Sequence, residues 1–128
     1  MQLNTHLNIN TSLCGKVTKL NANYAEVLLH TTQQMTADTQ GLVHGGFIFG
    51  AADYAAMSAV NDPLVVLGSS SSKFIAPVKE GDAVLCKAAV LSEKGKKREV
   101  EVQAFVDEKL VFEGNFTTFV LANHVLEG

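Results

Sequence analysis

The stretch "HGGFIFGAAD", residues 44 to 53, holds a histidine, three glycines and one carboxylate, Asp53, in otherwise apolar surroundings. Gly46, Gly50 and Asp53 recur at i, i+4 and i+7, which puts them on one stripe of an α-helix. The glycines leave that stripe bare, so a ligand can approach the backbone closely. Glycine inside a helix costs roughly 0.5–1 kcal/mol relative to alanine. The His44-Gly45-Gly46 turn aims free backbone N–H groups outward at the helix start, where partial positive charge favours an anion. An anion-stabilising end thus stands about two turns from a lone carboxylate. Acyl transfer needs those two parts, donors for an oxyanion and a base or nucleophile beside it. Structural roles compete: Asp53 could pair with a lysine or accept backbone hydrogen bonds, the glycines could permit close helix–sheet packing, and the His44 ring could simply bond a carbonyl. Tyr54, beside Asp53 on another face, reads as core.

A helix over about residues 46–60 must carry this stripe, stopped by Asn61-Asp62-Pro63 because the residue before proline is steered away from helical geometry. Phe47, Ile48, Phe49, Ala51, Ala52, Tyr54, Ala55, Ala56, Met57, Ala59 and Val60 cover every face of it. A helix apolar all round is buried all round. Either a sheet wraps it or a second subunit closes the remaining side, and Asp53 should then be shielded from bulk water. The rest of the chain reads as strands. "CGKVTKLNANYAEVLLH" gives two around a turn at Asn21 to Asn23, and "TTQQMTADTQG" is irregular. "LVVLGSSSSKFIAPV" gives a long strand, with a turn at Pro77 to Asp82, and three more follow over 83–93, 98–108 and 109–122. Val100, Val102, Ala104 and Val106 alternate with Glu99, Glu101 and Gln103, so that strand has one buried and one wet face. The fold class is α+β: one helix on a curved antiparallel sheet, in a single domain spanning 1–128.

Composition supports a folded domain, with 47% hydrophobic and 18% charged residues. The net charge of −3 advertises no nucleic-acid surface, and the Lys94 to Arg98 cluster reads as a solvated hairpin tip. Cys14 and Cys86 lie far apart in strand-like segments and read as reduced, buried structural thiols, with no metal-ligand spacing. "MQLNTHLNIN" lacks the pattern of a signal peptide, and Asp53 interrupts the best candidate for a membrane span. A cytoplasmic protein with neither membrane nor nucleic-acid partner is expected.

"HGGFIFGAAD" resembles the active-site segment of hotdog-fold acyl-CoA thioesterases of the phenylacetyl-CoA thioesterase (PaaI) type, and "KFIAPVKEGD" resembles the Phe-x-x-Pro-x-x-x-Gly-Asp strand and turn of the same family. The resemblance covers nearly the whole chain and implies a hotdog fold and hydrolysis of an acyl-CoA without a cofactor or metal. It makes Asp53 the nucleophile or general base, and gives Gly45, with Gly46 beside it, the backbone N–H that polarises the thioester carbonyl. His44 becomes the positioning histidine of the motif. It also implies a site at a homodimer interface, in a dimer or a dimer of dimers, completed by the partner strand around Ser69 and Ser70, while the bare stripe itself makes Gly50 a substrate contact. Lys73 is a candidate for CoA at the mouth, with Lys79 and the Lys94 to Arg98 cluster. Phe47, Phe49, Met57 and Phe74 could line an acyl pocket or belong to the core. Six residues before His44, where many relatives carry asparagine, stands Asp38, an acceptor only when ionised.

Two rival functions remain. Hydratases of the same fold commonly place proline and glycine after their histidine, a pattern "HGGFIFGAAD" lacks. A non-catalytic acyl-CoA sensor is the alternative from another class; such regulators usually carry an appended DNA-binding segment, for which no room is seen before Leu13, and retention of Asp53 argues mildly against it.

Overall fold

The computed structural model describes residues 1–128. A six-stranded antiparallel sheet curls around one long helix, the hotdog arrangement. In chain order come a short helix α1 (Thr11–Cys14), strands β1 (Lys16–Asn21) and β2 (Tyr24–His30), the long helix α2 (Gly45–Val60), and strands β3 (Val65–Phe74), β4 (Ala83–Lys94), β5 (Lys97–Val106) and β6 (Lys109–Val120). The sheet order is β1-β2-β4-β5-β6-β3. Strands β4 to β6 form the expected meander, but β3 does not pair with its neighbour in sequence. It crosses to the far edge and lies against β6.

The sheet buries its inner face by simple alternation. Val100, Val102 and Ala104 of β5 are fully buried, as are Val84, Cys86 and Ala88 of β4 and Ala25, Val27 and Leu29 of β2. Val106, at the end of that pattern, is half-buried, where β5 runs out of helix to cover. Against this face α2 lays Ile48, Ala51, Ala52, Ala55, Ala56 and Ala59. The run of alanines lets the helix axis come close to the sheet, because no long side chain holds them apart.

The helix ends as its sequence dictates. Asn61 adopts the left-handed conformation (φ 55°, ψ 41°), and its N–H donates to the Met57 carbonyl. Its side chain then fastens the N-terminal segment, accepting from Asn4 N at 2.7 Å and donating to the Gln2 carbonyl at 2.9 Å. That segment lies along α2, with His6 stacked on Tyr54. One expected strand start is corrected here: Thr11 to Cys14 form a helical turn capped by Asn10, whose side chain accepts from Ser12 N and Leu13 N. Gly15 reverses the chain into β1 at φ +91°, where a Cβ would also sit 2.7 Å from Val27 Cγ1. Cys14 is therefore half-exposed at a helix end, while Cys86 is buried in β4, and both thiols are free. No helix is long and apolar enough to cross a membrane.

Candidate active site

The sheet does not cover α2 on every side. Gly46 is exposed and Gly50, Asp53 and Val60 are only half-buried, so the stripe marked by the glycines is the one the curled sheet leaves open. On the remaining faces Ile48, Ala51, Ala52 and Tyr54 to Ala59 are buried, and Phe47 and Phe49 are half-buried.

His44 caps this helix. Its backbone is extended (φ −62°, ψ 131°), and its ring Nδ1 accepts the Gly46 N–H at 2.8 Å. A ring accepting at Nδ1 carries the proton of its neutral form on Nε2. The two N–H groups expected to be free are thereby distinguished. Gly46 N–H is taken by His44, whereas Gly45 N–H has no acceptor within the chain and remains the open donor at the helix start. A side chain at residue 46 would strike the His44 ring 2.8 Å away, and one at residue 45 would meet the Phe74 ring at 3.0 Å. Around Gly50 nothing lies within 4 Å of where a Cβ would stand. Packing within the protomer therefore does not require glycine at position 50.

Asp53 is the unusual group. Its Oδ1 is shut off from solvent and has no hydrogen-bond partner. The ion pairs of the chain, Lys97–Glu99 and Arg98–Glu93, lie elsewhere, which removes a lysine partner for Asp53. Burial alone pushes its carboxyl up from the ordinary 3.8 to about 6. Burial also raises the neighbouring Cys14 thiol, with the Asp53 charge adding to it. An unpaired, desolvated carboxyl near neutrality is what general-base or nucleophilic chemistry requires. By helix geometry it stands about 12 Å along the axis from Gly45.

The other candidates are distributed differently. Asp38 Oδ1 accepts from Gln40 N at 2.9 Å and Leu42 N at 3.1 Å, so its carboxylate folds its own loop. On β3 the register separates the serines by face. Ser70, Ser72 and Phe74 oppose Phe116, Gly114 and Phe112 and point to the helix side, and the Ser70 and Ser72 hydroxyls pair at 2.7 Å. Ser69, Ser71 and Lys73 take the outer face, where Ser71 and Lys73 line a polar groove with Glu101, Gln103, Glu113 and Asn115. Within one protomer Ser69 and Lys73 thus sit across the sheet from Asp53. Of the four apolar pocket candidates, Met57 is buried core, and Phe49 packs on Phe112 and Phe116 at 6.5 and 5.4 Å. Phe74 is 57% exposed and borders an apolar groove at the helix start. Sequence reasoning missed the rest of that groove, including Leu42, Ile48, Ile75 and Val111, because their alternation reads as ordinary core.

Known proteins share this architecture. In sequence, the chain is 54% identical over all 128 residues to a methylthioribose-1-phosphate isomerase of Aquifex aeolicus, although it spans only 28% of that protein's length. It is 32% identical over 106 residues to the transcription factor FapR of Staphylococcus aureus, covering 82% of this chain and 57% of FapR. Among solved structures, an uncharacterized protein of Pyrococcus horikoshii superposes with a TM-score of 0.97 at 48% identity, over 98% of this chain and 97% of that one. A mutant of the phenylacetic acid degradation protein PaaI of Thermus thermophilus superposes with a TM-score of 0.78 at 27% identity, over 85% and 95% of the two chains. The sequence pattern of the thioesterase superfamily matches residues 40–113, from the loop before His44 into β6. With that match over more than half its length, and with PaaI among its structural neighbours, the chain belongs to the thioesterase superfamily as a PaaI-like hotdog protein.

Proposed function

We propose that this domain, residues 1–128, hydrolyses an acyl-CoA thioester to the free acid and CoA. One observation carries the reading: α2 presents an unused N–H at its start, at Gly45, and an unpaired carboxyl two turns on, at Asp53. Because they stand about 12 Å apart along one helix, the pair that meets one thioester is the Gly45 N–H of one copy and the Asp53 carboxyl of a second copy of the chain. Gly45 N–H receives the thioester oxygen as it gains negative charge, helped by the helix dipole. Asp53, ionised above about pH 6, attacks the carbonyl carbon or takes a proton from the water that does. The CoA thiolate leaves and is protonated; on the nucleophilic path water then cleaves the acyl–Asp53 anhydride, releasing the free acid and restoring the carboxylate. His44 holds the turn through Gly46, and Gly50 leaves open space beside Asp53 for the substrate. The isomerase name of the Aquifex relative carries little weight against this, because the chain corresponds to only 28% of that protein.

The sequence likeness to FapR supports a second reading, a domain that binds acyl-CoA without cleaving it. A screen of acyl-CoAs with a thiol-detecting reagent, wild type beside Asp53→Asn, separates the two. Release of CoA that depends on Asp53 supports hydrolysis; tight binding of acyl-CoA with no release from any of them supports the sensor.

The site is proposed to be completed by a second copy of the chain. Strand β3 is a ten-residue sheet edge without proline, and Gly68 to Ser71 are exposed along it. Such an edge is a template for another strand. A homodimer with its sheet continued through β3 covers the edge and brings a partner strand to the open helix stripe. Sedimentation or light scattering should give a dimer or a larger even assembly; a monomer at micromolar concentration would count against a shared site. Nothing in the proposed reaction calls for a membrane or nucleic acid, and the cytoplasm is the proposed setting.

Gly50 supplies a separate check. Because a methyl there meets open space, Gly50→Ala should stabilise the helix by roughly 0.5–1 kcal/mol. The same methyl narrows the path beside Asp53 and should lower kcat/KM. Melting and kinetics on one preparation test this together; a variant that melts higher and keeps full activity would remove the ligand role of the bare stripe.

A further inference from the structure

We infer that the apolar groove beside the helix start is the acyl pocket, and that it selects an acyl group without polar or charged substituents. The inference rests on the thioester reading above and goes further, to the substrate. The groove has a volume of about 380 Å³, and eight of its ten lining residues are hydrophobic, among them Leu42, Ile48, Phe74, Ile75, Val78 and Val111. It begins at Gly45, so a carbonyl held by the Gly45 N–H has one of its two substituents at the groove mouth. That substituent is either the acyl chain or the pantetheine arm of CoA.

Hydrogen-bond accounting decides between them. The pantetheine arm carries two amides, each with a donor and an acceptor to be satisfied on burial. The groove has no charged or polar side chain. Three of its backbone N–H groups are also engaged: those of Ile75 and Ala76 both donate to the Val111 carbonyl, and that of Val43 donates to the Val78 carbonyl at 2.8 Å. Pantetheine amides would find no side-chain partner there, whereas methylene groups require none and gain by leaving water. The same lining rejects an acyl group ending in a carboxylate or hydroxyl. Its shape is well held, because Phe74 packs edge-on against Phe112 at 5.1 Å and Leu42 bridges to Lys79.

The test compares acetyl-, hexanoyl-, decanoyl- and succinyl-CoA on wild type, on Ala76→Phe, which fills the groove, and on Leu42→Asp, which places a charge at its wall. Leu42 is 43% exposed, so that variant should fold even if the larger ring at position 76 is not accommodated. Wild type should prefer hexanoyl- and decanoyl-CoA to succinyl-CoA. In each variant the ratio of kcat/KM for decanoyl-CoA to that for acetyl-CoA should fall about tenfold or more, the scale on which apolar pockets discriminate chain length. An equal loss for every substrate would assign the groove to pantetheine and overturn the inference, as would a profile unchanged in both variants. If wild type cleaves none of the four, the hydrolysis reading fails but the groove is still tested by calorimetry. Tighter binding of decanoyl-CoA than of CoA, lost in the variants, would support the pocket; equal binding of the two would overturn it.

Discussion

Asp53→Asn should lower the proposed acyl-CoA turnover at least about a hundredfold, the lower range for removing a group that moves a proton in the transition state. The amide keeps the size and shape of the carboxyl, so the open stripe and the Gly45 N–H are preserved and substrate still binds. The loss should therefore fall on kcat rather than on KM. Wild type supplies an internal control through pH. Burial holds the Asp53 carboxyl at about 6, so activity that needs its ionised form rises through a midpoint near that value. Steady-state kinetics from pH 4.5 to 8 reads both effects. Turnover unchanged in Asp53→Asn would remove the residue from the chemistry, whatever its environment.

The same substitution should stabilise the fold, and only above acid pH. In the folded chain the carboxyl binds its proton at about 6, against the ordinary 3.8 expected once unfolded. Between those values the folded protein holds more protons than the unfolded chain, so stability falls as pH rises through the window. Above about pH 6 the cost of burying the charge is fully present, about 2–3 kcal/mol for a half-buried group. Asparagine carries no such cost. Asp53→Asn should melt with wild type near pH 4 and several degrees above it at pH 7–8. The inverse outcome, a variant less stable by ~3–5 kcal/mol, is what loss of a buried ion pair gives. It would mean that Asp53 supports the structure through a partner, and the catalytic assignment would have to be rebuilt.

Together these results would separate a carboxylate held for chemistry from one held for folding. An environment that raises a carboxyl without giving it a partner opposes stability, which is the pattern of a group held for function rather than for folding.

The elements themselves were legible in the sequence because their signals are local. Period-two alternation located β5, and the break at Asn61-Asp62-Pro63 located the end of α2, since backbone sterics and face periodicity depend on neighbours along the chain. The spacing of Gly46, Gly50 and Asp53 placed them on one stripe for the same reason. Local rules did not say which side of an all-apolar helix stays open. That depended on how far the sheet curls, and the sheet stops short of the glycine stripe. Nor did they give the position of β3 beside β6, because strand order follows long-range pairing between segments some fifty residues apart. That register, not the serine run, sends Ser70 to the helix side and Ser69 and Lys73 to the outer face. Local pattern likewise could not tell that His44 consumes the Gly46 N–H and leaves that of Gly45 free. Sequence thus determined which residues share a face, through the fixed geometry of helix and strand. Tertiary structure decided which face meets solvent, which donor is spare and where the apolar groove opens, because those depend on distances between elements that no spacing along the chain encodes.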